Sequence, residues 1–209
     1  ESKFVKISQE KFQTNSLSFL ERDIEVFHDE FLNQFDVIIF HLTLQDLKDP
    51  RKALEHAFHY LKEKRHVFII DSHDASRKCS YPTPLLDETF KMLNEMNRQT
   101  DKGNRFITIE IQKEINDITS SLRSYFRVLR SNLDDEGGNV PDGMQIILHS
   151  EEVGSLYRDY CVMFLGFLKK EREIPINLGQ AYEEANYFVE NKSSWLRSGK
   201  HALILQKLF

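Results

Sequence analysis

Glycine is missing from the first 102 residues of the chain, and Gly103 is the first one. Loops that cradle a phosphate, or that bring the backbone close to a cofactor, need glycine for positive φ and for close approach. The GxGxxG loop of dinucleotide-binding dehydrogenases and the P-loop of NTPases both depend on such glycines. The absence therefore argues against both classes for this half of the chain.

Cysteine, long apolar runs and excess positive charge are also scarce. The two cysteines, Cys79 and Cys161, are too few for a disulfide framework and lack CxxC spacing for zinc, so we interpret both as reduced thiols. No apolar run could span a bilayer, and the N-terminus lacks a signal-peptide core, so we expect a cytoplasmic protein without membrane association. The net charge of −5 makes a nucleic-acid partner unexpected.

Residues 35–74 carry the clearest pattern in the chain. Residues 35–40, FDVIIF, form a continuous apolar run, which predicts a strand buried on both faces. Asp49 is a candidate helix cap and Pro50 suits a first helical turn. Apolar residues then recur at helical spacing, at Ala53, Leu54, Ala57, Phe58 and Leu61. A second apolar run at residues 66–71 completes a βαβ crossover, which predicts an α/β fold with a parallel sheet.

The other segments give weaker signals. We predict a strand at residues 4–7 running into a short helix, and another strand within residues 16–27 with a turn at Arg22 and Asp23. Residues 106–118 fit either a helix or a strand that leads into a helix. The remaining predictions are helices at 85–99, 156–168 and 179–196, strands at 124–133 and 197–209, and a loop at 133–143.

Polar residues follow the two apolar runs. Asp71, His73 and Asp74 cluster at a predicted strand end, where they could form a metal or acid–base site, or simply line and cap a polar loop. His41 follows the first strand directly and is placed to face a ligand. We interpret His56 and His59 as surface histidines of the helix. The aromatic residues of the second half fit either helix packing or a substrate pocket.

Residues 35–71 resemble the strand 4, helix and strand 5 region of class I S-adenosylmethionine-dependent methyltransferases. FVKISQEKF is similar to the family's strand 2, FLERDIEVF to its strand 3, and SWLRSGKHALILQK to its last strand. The resemblance implies a Rossmann-like, mostly parallel sheet with a helical insertion before the last strands. It implies one domain over residues 1–209, lacking the family's first strand, with inserted or capping helical segments at 81–120 and 144–196.

The resemblance also implies a cofactor, S-adenosylmethionine, and site residues. Asp23 and Ile24 would lie near its adenine, and His41 and Gln45 would follow strand 4. The substrate pocket would include Asp71, His73 and Tyr81. No residue matches a diagnostic general base, and no metal is expected.

Two features depart from the family pattern. The glycine-rich first motif is absent, and Lys6 stands where the family has an acid that binds the ribose hydroxyls, which a lysine cannot do as an acceptor. Two hypotheses remain open. The chain is a methyltransferase, or a fragment of one, that acts on a small-molecule acceptor. Alternatively, it is a non-catalytic methyltransferase-like domain that binds a ligand or a protein partner within a larger protein. A receiver-like phosphoacceptor domain fits less well, because the first strand ends in His41 rather than in an aspartate.

Overall fold

The structure is a computed structural model. It describes residues 3–73, 78–100, 103–131, 147–149, 151, 158–159, 163, 165–166, 169–170, 177–197 and 200–209. Asp74, Cys161, the predicted loop at 133–143 and most of the helix predicted at 156–168 lie outside these residues.

The described residues form the following helices and strands. The helices are α1 (Lys3–Phe12), α2 (Pro50–Tyr60), α3 (Pro84–Gln99), α4 (Ile107–Asn116), α5 (Ser121–Tyr125) and α6 (Leu178–Glu190). The strands are β1 (Phe35–His41), β2 (Leu61–Ser72), β3 (Lys78–Cys79), β4 (Phe126–Ser131), β5 (Ile147–His149), β6 (Trp195–Arg197) and β7 (Lys200–Lys207). Short 3-10 turns lie at Asp29–Phe31 and Leu44–Asp46.

The main sheet has the strand order β1-β2-β7-β4. β1 and β2 are parallel and α2 connects them, which confirms the predicted βαβ crossover and the α/β class. β7 is antiparallel to both β2 and β4. Three short strands form a second, antiparallel sheet in the order β3-β6-β5.

Helix α2 begins as the sequence predicts. The Asp49 side chain accepts a hydrogen bond from the Lys52 N–H at 3.0 Å, and Pro50 occupies the first turn. A cap of this kind stabilises a helix by about 1 kcal/mol. The apolar residues of α2 are buried against one face of the main sheet.

That covered face carries the hydrophobic core. Helices α2, α4 and α5 supply one side of the core, and strands β1, β2, β7 and β4 supply the other. Its buried members include Phe40, Leu54, Ala57, Val67, Ile69, Ile111, Ile115, Leu122, Leu203 and Leu205. Strands β1 and β2 are therefore held in place by the close packing of these helices against one face of the sheet.

The opposite face of the main sheet corrects the prediction for β1. Val37 is 46% exposed and Ile39 is 64% exposed, so β1 is not buried on both faces. Ile39 pairs with Phe68, and Phe68 pairs with Ile204, so an apolar row crosses this face. β1 is also the terminal strand of the sheet as described. A continuous apolar run predicts a strand, but it does not show which neighbours cover it.

The N-terminal segment corrects two further predictions. Residues 4–7 lie in helix α1 and not in a strand, since Phe4 and Ile7 stand three residues apart and polar helix formers follow. No side chain of α1 is buried. Residues 16–27 contain no strand in the structure, apart from a single bridge between Thr14 and Leu17.

The rest of the chain agrees more closely with the sequence. α3 spans the predicted helix, and α4 resolves the ambiguous segment as a helix. β4 and β7 lie in the predicted strands, whereas Trp195 belongs to β6 rather than to the preceding helix. Among the described helices, none has both the length and the apolar character needed to cross a membrane.

Candidate functional site at the carboxyl ends of β1 and β2

Of the polar residues singled out after the two apolar runs, His41, Asp71 and His73 lie at one edge of the main sheet. Because β1 and β2 are parallel, the segment that follows His41 lies beside the end of β2. The backbone turns at Leu42, which has a φ of 52° and donates its N–H to the Ile70 carbonyl at 2.8 Å. A positive φ is uncommon outside glycine, so this turn depends on contacts from the surrounding structure.

Asp71 supplies the main contact to this segment. Its side chain has no exposed surface, and its two carboxylate oxygens accept hydrogen bonds from the Thr43 N–H at 2.8 Å and the Leu44 N–H at 3.1 Å. Burial raises the pKa of Asp71 to about 6, although its hydrogen bonds from the backbone of residues 43–45 act in the opposite direction. The Asp71 carboxylate therefore caps the 3-10 turn at Leu44–Asp46.

Gln45 completes the contact from the other side. Its side chain is buried, and its Oε1 accepts a hydrogen bond from the Ser72 N–H at 3.0 Å. Its backbone carbonyl accepts a hydrogen bond from the Asn104 N–H at 2.7 Å. Three segments, at residues 42–46, 71–72 and 103–104, are thus joined around Gln45.

Gly103 allows this close approach. Its φ is +126°, and a Cβ at this position would lie 2.5 Å from the Gln45 carbonyl oxygen. L-residues other than glycine rarely adopt this φ, and the atom that they would meet belongs to the backbone. The sequence offers one signal for such a contact, a first glycine after 102 residues without any.

Replacing Gly103 with Ala should lower the free energy of unfolding by about 2 kcal/mol or more, from backbone strain and the clash with Gln45. Urea unfolding at pH 7 measures this loss. The matched control is Gly166→Ala, because an added Cβ at Gly166 meets no atom of the described residues within 4 Å. Equal effects of the two substitutions would contradict the prediction.

A buried polar cluster lies next to Asp71. His201 of β7 is the register partner of Asp71 and has no exposed surface. Its Nδ1 lies 2.9 Å from Thr108 Oγ1, and its Nε2 lies 3.1 Å from Gln112 Oε1 and 2.9 Å from Ser131 Oγ. Burial lowers the pKa of His201 to about 3, with a smaller contribution from His73. His201 is therefore neutral at pH 7, and sequence analysis missed it within an apolar strand.

His73 extends this cluster at the end of β2. It is 3% exposed, and its ring centre lies 5.1 Å from that of Phe106 and 6.1 Å from that of His201. Within the described part of the chain, no group of three or more His, Cys, Asp or Glu side chains could hold a metal ion.

Of the residues predicted to contact the cofactor, His41 lies at this end of the sheet, whereas Asp23 and Ile24 lie in a segment that packs against α2. His41 is exposed at the end of β1, and its carbonyl accepts a hydrogen bond from the Thr43 hydroxyl at 3.0 Å. Asp23 is also exposed. The segment around Asp23 is held against α2, because Glu25 accepts a hydrogen bond from the Asp49 N–H and Ile24 accepts one from His56 Nδ1.

His56 therefore corrects another expectation. Its side chain is buried, and its Nδ1–H donates to the Ile24 carbonyl at 2.7 Å, so it is not a surface histidine. His59, one turn further along α2, is exposed as predicted. Helical spacing could not distinguish the two histidines. Phe27 contacts both rings, but only His56 is buried in the structure.

Tyr81, the third residue of the predicted substrate pocket, lies with α6. Its hydroxyl donates to the Glu184 carbonyl at 3.0 Å, and its ring centre lies 4.6 Å from that of Tyr187. The Glu184 carboxylate in turn accepts hydrogen bonds from the Leu85 and Leu86 N–H groups at the start of α3. The structure thus groups Tyr81 with α3 and α6, and groups Asp71 with the end of β2.

A cleft of about 210 Å³ opens beside the 3-10 turn, and sequence analysis did not predict it. Lys48, Arg51 and Arg98 line it together with Glu110. Arg51 forms an ion pair with Glu114, which raises the pKa of Arg51. These charges lie on elements far apart in sequence, so no local motif marks the cleft.

Comparison with solved structures gives remote similarities. A candidate methyltransferase from Bacillus halodurans is 10% identical, with a TM-score of 0.45, over 98% of this chain and 86% of that one. The YcgJ protein of Bacillus subtilis is 16% identical, with a TM-score of 0.49, over 97% and 75%. A phosphoethanolamine N-methyltransferase of Haemonchus contortus, solved with S-adenosylhomocysteine, is 12% identical, with a TM-score of 0.35, over 88% and 36%.

Sequence comparison carries the assignment, since these TM-scores all lie below 0.5. A search of curated protein sequences finds no match. The family model described as a methyltransferase domain matches residues 3–156, which is well over half of the chain. That span includes α1, the βαβ crossover and the polar edge formed by His41, Gln45 and Asp71. The chain therefore belongs to the class I S-adenosylmethionine-dependent methyltransferase family.

Proposed function

We propose that the chain is an S-adenosylmethionine-dependent methyltransferase, or part of one, that acts on a small-molecule acceptor. The observation that carries the proposal is the fixed polar segment at the carboxyl end of β1, where His41 is exposed beside a turn held by Asp71. In open α/β sheets, ligands bind at this edge.

Two of the proposed cofactor contacts have the polar, exposed side chains that such a role requires. Asp23 and His41 are exposed polar groups. The residues after Asp23 are hydrogen-bonded to α2, and His41 pairs with Ile70 of β2. The Gln45 carboxamide already accepts the Ser72 N–H, so Gln45 would act through its position. Lys6 lies on α1 rather than at a strand end, so it supplies no acceptor for the ribose hydroxyls.

When bound, the cofactor supplies an activated methyl group for transfer to a nucleophilic nitrogen, oxygen or carbon. The part of the protein is then to orient the two reactants and to exclude water, which accounts for much of the acceleration in such displacements. We propose that Asp23 and His41 hold the cofactor, and that the acceptor lies near His73 at the end of β2. Asp71 is not a free acid–base group here, because both of its oxygens accept backbone hydrogen bonds.

A second candidate is a non-catalytic methyltransferase-like domain that binds a protein partner within a larger protein. The open face of the main sheet favours it, because Val37 and Ile39 are exposed on a terminal strand. Exposed apolar surface and unpaired strand edges are typical of interaction sites.

Calorimetric titration distinguishes the two candidates. If the proposal holds, S-adenosylmethionine and S-adenosylhomocysteine bind the chain at micromolar concentrations. His41→Ala should then weaken binding about tenfold, as expected for one lost polar contact. His59→Ala is the matched control, since His59 is an exposed histidine of α2.

The other outcomes are equally informative. Binding only to an N-terminally extended chain would mean that the cofactor site needs residues outside this sequence. No binding to either chain would favour the partner-binding domain. Equal weakening by His41→Ala and His59→Ala would exclude His41 as a cofactor contact.

A further inference from the structure

The contacts around residues 42–46 form a reciprocal clamp between the two parallel strands. The Asp71 side chain at the end of β2 accepts backbone N–H groups from the segment after β1. The Gln45 side chain in that segment accepts the backbone N–H of Ser72 at the end of β2. We propose that Asp71 and Gln45 are positioning residues. They fix the backbone of residues 42–46, next to the exposed His41, in the conformation that binds a ligand.

The segment needs such support because it does little to stabilise itself. The 3-10 turn is only three residues long, and Thr43 at its N-cap makes no side-chain capping bond. The first N–H groups of a helical turn have no partner within the turn. Asp71 supplies acceptors for two of them, from a position 27 or 28 residues further along the chain.

The left-handed Leu42 adds a second reason. With its φ of 52°, Leu42 turns the backbone directly after the end of β1. A leucine does not favour this conformation by itself. The Leu42 N–H to Ile70 bond fixes the turn on one side, and the Asp71 bonds fix the next two residues. Release of the Asp71 carboxylate should therefore free residues 42–46 while β1 stays paired with β2.

The contact at Asn104 extends the clamp to a third segment. The Gln45 carbonyl accepts the Asn104 N–H, and Gly103 packs directly against that carbonyl. The Gln45 side chain therefore serves only the bond from the Ser72 N–H. The bond from the Asn104 N–H goes to the Gln45 backbone carbonyl, which any residue at this position would provide. This separates the two halves of the clamp experimentally.

Amide hydrogen exchange measured by NMR at pH 7 tests the clamp without any ligand. In Asp71→Asn, exchange at Thr43 and Leu44 should accelerate at least tenfold relative to wild type. In Gln45→Met, which keeps the length and removes the acceptor, the same acceleration should appear at Ser72. The control is Asp117→Asn, which alters an exposed aspartate that caps the Thr119 N–H elsewhere in the fold.

Amides of the covered core, such as those of Ile69 and Leu203, separate positioning from general destabilisation. If the clamp acts locally, their exchange changes far less than that of Thr43 or Ser72. Unchanged exchange at Thr43 and Leu44, or a uniform acceleration across the core, would overturn the proposal. If Asp71→Asn does not fold, Gln45→Met decides the result, because it leaves the Asp71 carboxylate in place.

The ligand side of this inference rests on the proposed function, so S-adenosylhomocysteine is titrated into the same variants. Where the wild type binds it, both Asp71→Asn and Gln45→Met should weaken binding severalfold, and Asp117→Asn should not. Unweakened binding in both clamp variants would overturn a positioning role toward the ligand. Failure of every chain to bind would count against the proposed function alone, and the exchange measurement would still decide the clamp.

Discussion

Replacing Asp71 with Asn should give a variant whose stability, relative to wild type, depends strongly on pH. The advantage of wild type over Asp71→Asn in free energy of unfolding should be about 2 kcal/mol larger at pH 4 than at pH 6. The reason is that burial raises the pKa of Asp71 from 3.8 to about 6.

The sign follows from proton uptake. Between pH 4 and pH 6 the folded protein holds a proton on Asp71 that the unfolded chain has already released. The contribution of Asp71 to stability is therefore fully present below the unfolded pKa and is lost as the pH rises through the folded pKa. Asn does not titrate, so the variant lacks this dependence. Among the described residues, Asp46 is the charged group that raises the pKa of Asp71 further, and His201 is the register partner of Asp71 on β7.

Urea unfolding of both proteins at intervals between pH 4 and pH 6.5 measures this difference. Asp117→Asn is the control. The pKa of Asp117 is lowered by its hydrogen bonds from Thr119, so Asp117 titrates below this range. A constant difference between wild type and Asp71→Asn across the range would show that Asp71 is already ionised at pH 4, and would contradict the prediction.

Replacing His201 with Gln should produce the opposite dependence. Burial lowers the pKa of His201 from 6.5 to about 3, so the unfolded chain takes up a proton that the folded protein excludes. Its contribution to stability is present above pH 6.5 and is lost as the pH falls. From pH 6.5 to pH 4, the free energy of unfolding of wild type should fall by about 3 kcal/mol relative to that of His201→Gln.

Gln is the suitable replacement because it can still donate and accept hydrogen bonds toward Thr108, Gln112 and Ser131. The matched control is His59→Gln, at an exposed position of α2 whose loss should change stability little at any pH in the range. A stability difference between wild type and His201→Gln that stays flat from pH 6.5 to pH 4 would mean that the buried ring accepts a proton in the folded state.

The two effects oppose each other in wild type between pH 4 and pH 6. Asp71 stabilises the folded state on acidification and His201 destabilises it, each with a limiting slope of about 1.4 kcal/mol per pH unit. Each single variant should therefore expose the slope of the other residue. Because the two residues are register partners on adjacent strands, the double variant also measures any coupling between them.

The elements that the sequence predicts well depend on local signals. Asp49 and Pro50 mark the start of α2, and its apolar spacing matches the face that is buried. Wherever the signal was ambiguous, the prediction failed or stayed open. Phe4 and Ile7 are compatible with both a strand and a helix, and the structure forms the helix α1 without burying any of its side chains.

The candidate site was predicted only in part. Asp71 and His41 were singled out because polar residues follow apolar strands, and Gln45 because of the family resemblance. The structure brings all three to one edge. Their partners could not be predicted, because the partners are mostly backbone N–H groups, which every residue carries. His201 gave no local signal either, since it lies in an otherwise apolar strand.

Sequence by itself determined the βαβ crossover, the helix cap at Asp49 and the family to which the chain belongs. Tertiary structure alone decided that β1 has an open face, that Asp71 is buried under backbone donors and that His201 lies beside it. The physical reason is that caps and periodicity act within a few residues. Burial, and the pKa values that depend on it, are set by neighbours far away in sequence.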